Sequence, residues 1–309
     1  MMIMVNVDRA PILVGIDGSP EATRAAVWGA REAVVRHRPL ALVHTYEWAH
    51  EVGPGPGALR VADVRYRDVF VRYAEVRIKA ATAEVLNAVP GVELTSELVA
   101  GRPVQLLSAR SADAALVVVG SRGHGGVSGL LLGSVAVGLV SHAKCPVVIV
   151  RGEDRPPEYD ELNTDVSSAV VVGLDGSPMS EAALGYAYDW ASAHGAPLVA
   201  VHAWGVVAED SRLLEHVDLE AVQQDEERLL AEQLAGWGEK YPDVSVRRVV
   251  VKDRPARALL EAAAFAGLLV VGARGRGGMA GLLLGSTSQA LIHRSACPVV
   301  VVRPGEAHG

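Results

Sequence analysis

Two glycine-rich segments with identical internal spacing constrain the fold of this chain more than any other feature. One runs from Gly120 to Ser134 and the other from Gly272 to Ser286, 152 residues later. Each follows a short apolar run and reads G-x-x-G, nine residues, then G-S. A fixed spacing that occurs twice predicts two copies of one structural unit, in which a buried strand, a loop and a helix start follow one another.

Other segments repeat in the same order and extend the two copies over most of the chain. Residues 11–20 return as 169–178, and residues 39–44 return as 197–202, both at an offset of 158. Because the later repeats have an offset of 152, the first copy carries six more residues between its second strand and its third helix. We place that extra length in a surface loop near Gly53–Gly57.

The repeats and the length of 309 residues predict two domains, each large enough to bury its own core. We expect a first domain over residues 1–152, a linker over 153–168 and a second domain over 169–305. The linker contains Pro156, Pro157 and several acids, a composition typical of connecting segments.

Each half alternates strands and helices, which predicts a doubly wound α/β fold. The strands are mostly continuous apolar runs, as expected for a five-stranded parallel sheet covered by helices on both faces. A strand order of 3-2-1-4-5 would place strands one and four side by side. The predicted strands of the first half are Ile12–Ile16, Leu40–His44, Val92–Val99, Leu116–Val119 and Val147–Val150, and the long second helices are Val61–Ala88 and Val217–Trp237.

The glycine loop predicts a phosphate site. Open α/β sheets bind ligands beyond the carboxyl ends of their strands, where the strand order reverses, so Asp17 and Gly120 would reach the same crevice. The loop glycines remove Cβ atoms and allow positive φ angles, so that backbone N–H groups can surround an anion. The start of the following helix adds its free amides and the Ser134 hydroxyl, and Arg122 adds a cation.

The aspartate that ends strand one recurs as Asp175 in the same Gly-Ile/Leu-Asp-Gly-Ser context. Because a carboxylate repels phosphate, its functional partners would be ribose hydroxyls, an adenine amino group or a bridging cation. A turn or capping aspartate is the structural alternative, and the sequence leaves both open. His44 and His202, at the ends of the second strands, are interpreted as structural histidines with satisfied hydrogen bonds.

The chain has two cysteines, Cys145 and Cys297, again 152 residues apart and each followed by Pro-Val-Val. Equivalent positions in separate domains indicate thiols that pack in each core, and a disulfide framework is not expected. Redox chemistry is the weaker alternative.

Composition excludes several classes of function. A formal net charge of −7 gives no basic surface for nucleic acid. No run of about 18 apolar residues occurs and the apolar opening is too short for a signal peptide, so we expect a cytoplasmic protein without a membrane partner. No Gly-Lys dipeptide is present, which excludes a Walker A loop. The glycines follow strand four, whereas a dinucleotide fingerprint follows strand one.

The loops carry few groups for catalysis. Neither contains Asp, Glu or Lys, whereas phosphoryl transfer needs a metal clamp and a group that orients the attacking oxygen. We therefore expect a nucleotide that is held and hydrolysed slowly if at all, with no catalytic residue and no dedicated metal site. A genuine ATPase or nucleotidyl transferase of the wider α/β nucleotide-binding group is the alternative. A scaffold that acts through its sheet edges is a third hypothesis.

The Gly-Ile-Asp-Gly-Ser segment, the spaced glycine loop and the closing Cys-Pro-Val-Val strand together resemble the universal stress protein family, in tandem form and in its ATP-binding branch. The resemblance covers nearly the whole chain. It implies two flavodoxin-like domains with ATP in each crevice, Mg²⁺ as an optional companion, and roles in stress adaptation and growth regulation. It also implies pairing through the last strands, Val147–Val150 and Val299–Val302, as an internal pseudo-dimer, with a homodimer as a further option.

The resemblance implies ten nucleotide-binding residues in each half. By motif match, those around adenine and ribose are Gly15, Asp17 and Thr45 in the first half and Gly173, Asp175 and Ala203 in the second. Those around ribose and phosphates are Val119, Gly120, Arg122, Gly123, Gly133, Ser134 and Val135 in the first half, and Val271, Gly272, Arg274, Gly275, Gly285, Ser286 and Thr287 in the second.

Overall fold

The computed structural model describes residues 9–46, 64–123, 132–151, 169–205, 218–276 and 284–303. The predicted linker 153–168 and the middle of each glycine loop lie outside these ranges. The chain divides into two compact units, residues 1–152 and residues 153–309. Each unit is described by itself below.

The first unit is a five-stranded sheet in which every neighbouring pair of strands is parallel. Its strands lie in the order β3-β2-β1-β4-β5. The elements are β1 Ile12–Ile16, α1 Pro20–Val35, β2 Leu40–Tyr46, α2 Val64–Ala88, β3 Leu94–Ala100, α3 Pro103–Arg110, β4 Leu116–Gly120, α4 Ser134–His142 and β5 Val147–Val150.

The second unit repeats this plan with parallel strands in the order β8-β7-β6-β9-β10. The predicted α/β fold and strand order are confirmed in each unit. The elements are β6 Val170–Gly173, α5 Pro178–His194, β7 Leu198–Trp204, α6 Leu219–Leu234, α7 Trp237–Lys240, β8 Val246–Lys252, α8 Pro255–Ala262, β9 Leu268–Gly272, α9 Ser286–Arg294 and β10 Val299–Val302.

The central strands form the core because they are apolar on both faces. Ile12 and Val14 of β1 and Val118 of β4 are fully buried. By contrast, every residue of the outer strand β3 is half-buried or exposed, as is typical of an edge strand. The core therefore lies at the strand pair β1 and β4, directly beneath the crevice.

Helices α1 and α5 begin at the same sequence signal, a serine followed by proline. The Ser19 hydroxyl oxygen accepts a hydrogen bond from the Ala22 amide at 3.2 Å, and the Ser177 hydroxyl oxygen accepts one from the Ser180 amide at 3.2 Å. Proline fits the first helical position because its missing N–H has no partner there in any case. Both helices therefore start directly after the aspartate turn.

The predicted helix Val217–Trp237 is wrong at its end, and its first residue, Val217, lies outside the described ranges. Helix α6 stops at Leu234, and Gly236 has a left-handed φ of 81° before the short helix α7 begins. The sequence pattern did not reveal this break, because Trp237 continues the helical spacing of the apolar residues in α6. Strand β3 likewise begins at Leu94 and not at the predicted Val92.

Both cysteines are free thiols. Cys297 is buried, as predicted, and its sulfur lies 3.4 Å from the Ser295 hydroxyl oxygen. Cys145 is half-buried, and this burial raises the pKa of its thiol to about 12. A thiol with that pKa is not a reactive thiolate at neutral pH.

Among the described helices, none combines the length and the apolar character needed to cross a bilayer.

Candidate functional site

A cavity of about 490 Å³ opens at the carboxyl ends of the first unit's strands, where β1 and β4 lie side by side. This is the point of strand-order reversal at which doubly wound sheets bind ligands. The structure places all ten sequence-predicted residues of this half in the cavity lining: Gly15, Asp17, Thr45, Val119, Gly120, Arg122, Gly123, Gly133, Ser134 and Val135.

The second unit has a cavity of about 380 Å³ at the equivalent place, beside β6 and β9. It also brings together all ten residues predicted for this half: Gly173, Asp175, Ala203, Val271, Gly272, Arg274, Gly275, Gly285, Ser286 and Thr287. The parts of the glycine loops at 124–131 and 277–283 lie outside the described residues, so each lining is described without them.

The two aspartates each hold a turn together. Asp17 Oδ1 accepts hydrogen bonds from the Ser19 amide at 2.9 Å and from the Ser19 hydroxyl at 2.6 Å. Asp175 Oδ1 accepts from the Ser177 amide at 3.0 Å, while its Oδ2 accepts from the Arg276 amide at 2.9 Å. The sequence left open whether these aspartates stabilise a turn or contact a ligand. In both residues Oδ1 accepts the hydrogen bonds of a turn.

The hydrogen bonds keep the Asp175 carboxylate charged. Burial by itself would raise the pKa of Asp175, but hydrogen bonds from Ser177, the Arg276 amide and Ser180 outweigh burial and lower that pKa. A charged carboxylate at the edge of the cavity repels phosphate. The anionic part of any ligand is therefore directed away from Asp175 and toward the helix at the other side of the loop.

The second glycine of each motif is required by the aspartate. A Cβ built on Gly123 would lie against Oδ2 of Asp17, and one built on Gly275 would lie against Oδ2 of Asp175. Any larger residue must displace the carboxylate or the loop. Because this position is glycine, the backbone of the loop can lie directly against the aspartate that follows strand β1 or β6.

The first glycine of each motif makes room for a helix. A Cβ on Gly120 would come within 2.8 Å of the backbone carbon of Glu21 in α1, and one on Gly272 within 2.9 Å of Cβ of Met179 in α5. These distances are below normal contact. The neighbouring atoms belong to the rigid first turn of a helix, so they cannot move aside as a side-chain tip would.

The expectation of positive φ angles in the glycine loops is wrong for their described glycines. Positive φ occurs instead at Gly18 and Gly176, directly after the aspartates. A Cβ at the first or second glycine of each motif would come within 3.0 Å of protein atoms, whereas a Cβ at Gly133 or Gly285 would meet only ordinary contacts at 3.4 Å or more. The six without positive φ are Gly120, Gly123, Gly133, Gly272, Gly275 and Gly285.

The helices at the other side of each loop present free amides to the cavity. Gly133 and Gly285 are the N-cap residues of α4 and α9, and no side chain caps either helix. Their own amides donate to the Ser121 and Ala273 carbonyl oxygens, both at 2.8 Å. The next amides of each helix have no intrahelical acceptor, so they form an anion-binding surface at the positive end of the helix dipole.

Arginine side chains add positive charge on the same side. Arg122 and Arg274 are exposed and line the first and second cavity at equivalent positions. Arg303 follows β10 in the second unit. Burial, and then the charge of Arg274, lower the pKa of Arg303. A phosphate near Arg274 would relieve this repulsion between two cations.

The two histidines are structural, as predicted. Both are buried, and Nδ1 lies 2.6 Å from the Ile16 carbonyl oxygen in His44 and 2.8 Å from the Leu174 carbonyl oxygen in His202. Burial lowers the pKa of His44. Each histidine therefore ties the end of the second strand of its unit to the end of the first.

Sequence reasoning missed the apolar wall of each cavity. Pro103 and Leu107 of α3 line the first cavity, and Pro255 and Leu259 of α8 line the second. A Cβ on Gly15 would come within 3.0 Å of Cδ1 of Leu107, which explains the glycine at this position in β1. The repeated Arg-Pro pair before each helix, followed by leucine one helical turn after the proline, was the available signal.

Among the described residues, no three side chains of the His, Cys, Asp and Glu types come together as a metal-binding group. The single carboxylate in each described lining, Asp17 or Asp175, is a ligand of the kind that Mg²⁺ accepts, but Mg²⁺ normally needs further oxygen ligands. Phosphate oxygens are the usual source of these in nucleotide sites.

Comparison with known proteins agrees with this geometry. A family model described as the universal stress protein family matches residues 9–151 and again residues 168–303. Universal stress proteins Rv2005c and Rv2623 of Mycobacterium tuberculosis are each 42% identical to this chain, over 94% of it and 96% of their own length.

Solved structures give the same result at the level of the fold. A universal stress protein from Archaeoglobus fulgidus has a TM-score of 0.67 at 22% identity and covers 96% of this chain and 97% of its own. A putative universal stress protein from Pseudomonas aeruginosa has a TM-score of 0.55 at 16% identity and covers 96% and 94%. With one family match in each half and relatives that are similar along nearly their whole length, this chain belongs to the universal stress protein family.

Proposed function

We propose that this protein is an ATP-binding regulatory protein of the cytoplasmic stress response, with one adenine nucleotide in each half. The observation that carries the proposal is the double cavity: two crevices of about 490 and 380 Å³, at the strand-reversal point, with an apolar wall on one side and uncapped helix amides on the other. Such a combination suits a ligand with an aromatic base at one end and phosphates at the other.

The binding mode follows from where the charges lie. The Asp17 and Asp175 carboxylates stand at the base and sugar side, where ribose hydroxyls can donate to them without phosphate repulsion. The amides that follow Gly133 and Gly285, together with Arg122 and Arg274, stand at the phosphate side. Mg²⁺ would enter with the phosphates and not through a preformed protein site.

A regulatory role fits this arrangement better than rapid turnover. The Asp17 carboxylate already accepts two hydrogen bonds from Ser19, and the Asp175 carboxylate accepts hydrogen bonds on both of its oxygens. A group that is engaged in this way is a poor general base for activating water. Turnover of ATP at about 1 per second or faster, measured on purified protein, would instead favour the ATPase or nucleotidyl transferase alternative.

The direct test is to denature the purified protein and separate the released small molecules by chromatography. We expect adenine nucleotide at one to two per chain, since each half offers one cavity. If the protein carries none, equilibrium binding of added ATP replaces this measurement. No binding of ATP at millimolar concentration would contradict the proposal.

Two glycine variants assign the nucleotide to a half. In Gly123→Val and Gly275→Val the new side chain would meet the Asp17 or Asp175 carboxylate and push the loop out of place. We expect each variant to lose the nucleotide of its own half and to keep its circular dichroism spectrum. Gly238→Val is the matched control, because a Cβ at Gly238 meets no atom within 4 Å. Full nucleotide retention in both folded variants would refute the predicted site.

A further inference from the structure

The two cavities differ at positions that the internal repeat makes equivalent. At the phosphate side, the second residue of α4 is Val135, whereas the second residue of α9 is Thr287. Both side chains are half-buried and line their cavity. The Thr287 hydroxyl forms no hydrogen bond with another described residue, so it is free to donate to a ligand.

At the side of the cavity that we assign to the base, the residue with a hydroxyl group lies in the first half and not in the second. Thr45, at the end of β2, lines the first cavity, and Ala203 takes its place at the end of β7 in the second. The hydroxyl group that distinguishes each cavity therefore lies near the base in the first half and near the phosphates in the second. Valine and threonine have nearly the same shape, so the exchange at α4 and α9 changes polarity with little change in size.

Two further serines line the second cavity, but their hydroxyl groups donate to backbone carbonyl oxygens and are not free to donate to a ligand. Ser180 and Ser288 replace Ala22 and Ala136 of the first cavity. The Ser180 hydroxyl donates to the Ser177 carbonyl oxygen at 2.9 Å, and the Ser288 hydroxyl donates to the Gly272 carbonyl oxygen at 2.7 Å. The second bond ties the start of α9 to the end of β9 and fixes the phosphate side in place.

Positive charge is also distributed unequally. The described lining of the second cavity contains Arg274 and Arg276, and that of the first contains Arg122 as its arginine. The Arg276 amide donates to Asp175 Oδ2 at 2.9 Å and its guanidinium donates to the Gly176 carbonyl oxygen at 3.5 Å, so this arginine lies on the Asp175 side of the crevice. The corresponding residue of the first half, His124, lies outside the described residues.

We propose that the two halves distinguish adenine nucleotides by the number of phosphates to different degrees: the second half prefers the triphosphate over the monophosphate more strongly than the first half does. This inference rests on the proposed function. In both cavities the phosphates meet uncapped helix amides and an arginine, Arg122 or Arg274, and in the second cavity they also meet the free hydroxyl of Thr287. Hydrogen bonds to a charged group are stronger than neutral ones. Thr287 is the residue that sets the difference.

The test uses the unmodified chain, so that no half has to be disabled. The protein is photolabelled with 8-azido-ATP in the presence of increasing AMP, ADP or ATP, and labelled peptides are assigned to a half by mass spectrometry. In the second half we expect ATP to compete at a concentration about 100-fold lower than AMP, since more than one charge-assisted contact is added. In the first half the ratio should be about 10-fold, because this cavity lacks the hydroxyl of Thr287.

Reciprocal exchanges identify the residue responsible. Thr287→Val should lower the preference of the second half for ATP over AMP by about tenfold, the effect of one hydrogen bond to a charged group. Val135→Thr should raise the ATP preference of the first half by a similar factor. Both variants keep the residue shape found at the equivalent position of the other half.

The outcomes separate this inference from the proposed function. If both halves are labelled and ATP and AMP compete with the same ratio in each, the inference is wrong and the proposed function stands. If Thr287→Val leaves the ratio of the second half unchanged, the assignment to Thr287 is wrong. If adenine nucleotides do not compete with the label in either half, the proposed function itself fails.

Discussion

At the scale of single residues, Asp175 shows how one side chain can serve both structure and site. Its Oδ1 holds the turn that starts α5, and its Oδ2 holds the backbone of the loop after β9. The turn was readable from Gly-Leu-Asp-Gly-Ser, because Asp before Gly-Ser is typical of such turns. The loop contact was not readable, since Arg276 follows Asp175 by 101 residues and only the folded sheet brings them together.

The lowered pKa of Asp175 predicts a pH-dependent contribution to stability. Because the pKa is lower in the folded than in the unfolded chain, the stabilisation is present above the ordinary value of 3.8 and is lost as the pH falls through the folded value. We expect Asp175→Asn to lower the free energy of unfolding by about 1 kcal/mol at pH 7. Below pH 3.8 the difference should shrink toward zero.

Urea unfolding of the two chains at pH 7 and at acid pH measures this difference. Glu84→Gln is the control, because Glu84 is an exposed carboxylate on α2 and its removal should change stability little at either pH. A difference that stays constant across this pH range would show that the effect comes from geometry and not from the charge of Asp175.

At the scale of elements, the strands could be predicted well and the helix ends less well. Ile12–Ile16, Val147–Val150 and Val299–Val302 have the predicted bounds, because continuous runs of branched apolar residues are typical of parallel strands that are covered on both faces. The end of α6 was missed. Its apolar spacing continues past Gly236, and the left-handed φ of that glycine is a property of the fold and not of the pattern.

The break after α6 gives a prediction with a closely matched control. Gly236→Ala should lower the free energy of unfolding by about 1 kcal/mol, since a residue with Cβ is strained at a φ of 81°. Gly238→Ala, two residues later within α7, should be neutral or slightly stabilising because alanine favours helix. A Cβ at either position meets no atom within 4 Å, so the two variants differ in backbone conformation alone. Equal effects in thermal unfolding would contradict this explanation.

At the scale of the whole molecule, the duplication made the fold predictable, and the twenty residues that the family resemblance implied all line the two cavities. The two offsets of 158 and 152 align the halves by residue number, so each residue of a repeated motif has an equivalent residue in the other half. What the duplication could not give was the difference between the halves. The exchanges of Thr45 for Ala203 and of Val135 for Thr287 look like neutral variation in the sequence, and only the structure shows that all four residues line the cavities.

Binding at two cavities predicts a ligand-linked gain in stability for the whole chain. At an ATP concentration of about 100 times the dissociation constant, each filled half should gain about 2.7 kcal/mol. Thermal unfolding with increasing ATP measures this gain as a rising midpoint. In Gly275→Val the gain of the second half should be absent while that of the first remains. A midpoint that does not respond to ATP in the unmodified chain would argue against both cavities as nucleotide sites.

The shared carboxylate of Asp175 has a mechanical consequence. The first turn of α5 and the loop after β9 are fastened to the two oxygens of one group, so a shift of the loop must be taken up where the helix begins. Helix α5 has 17 residues, which makes it a rod of about 25 Å lying against β6 and β9. A displacement of the loop after β9 would therefore act directly on the start of this helix.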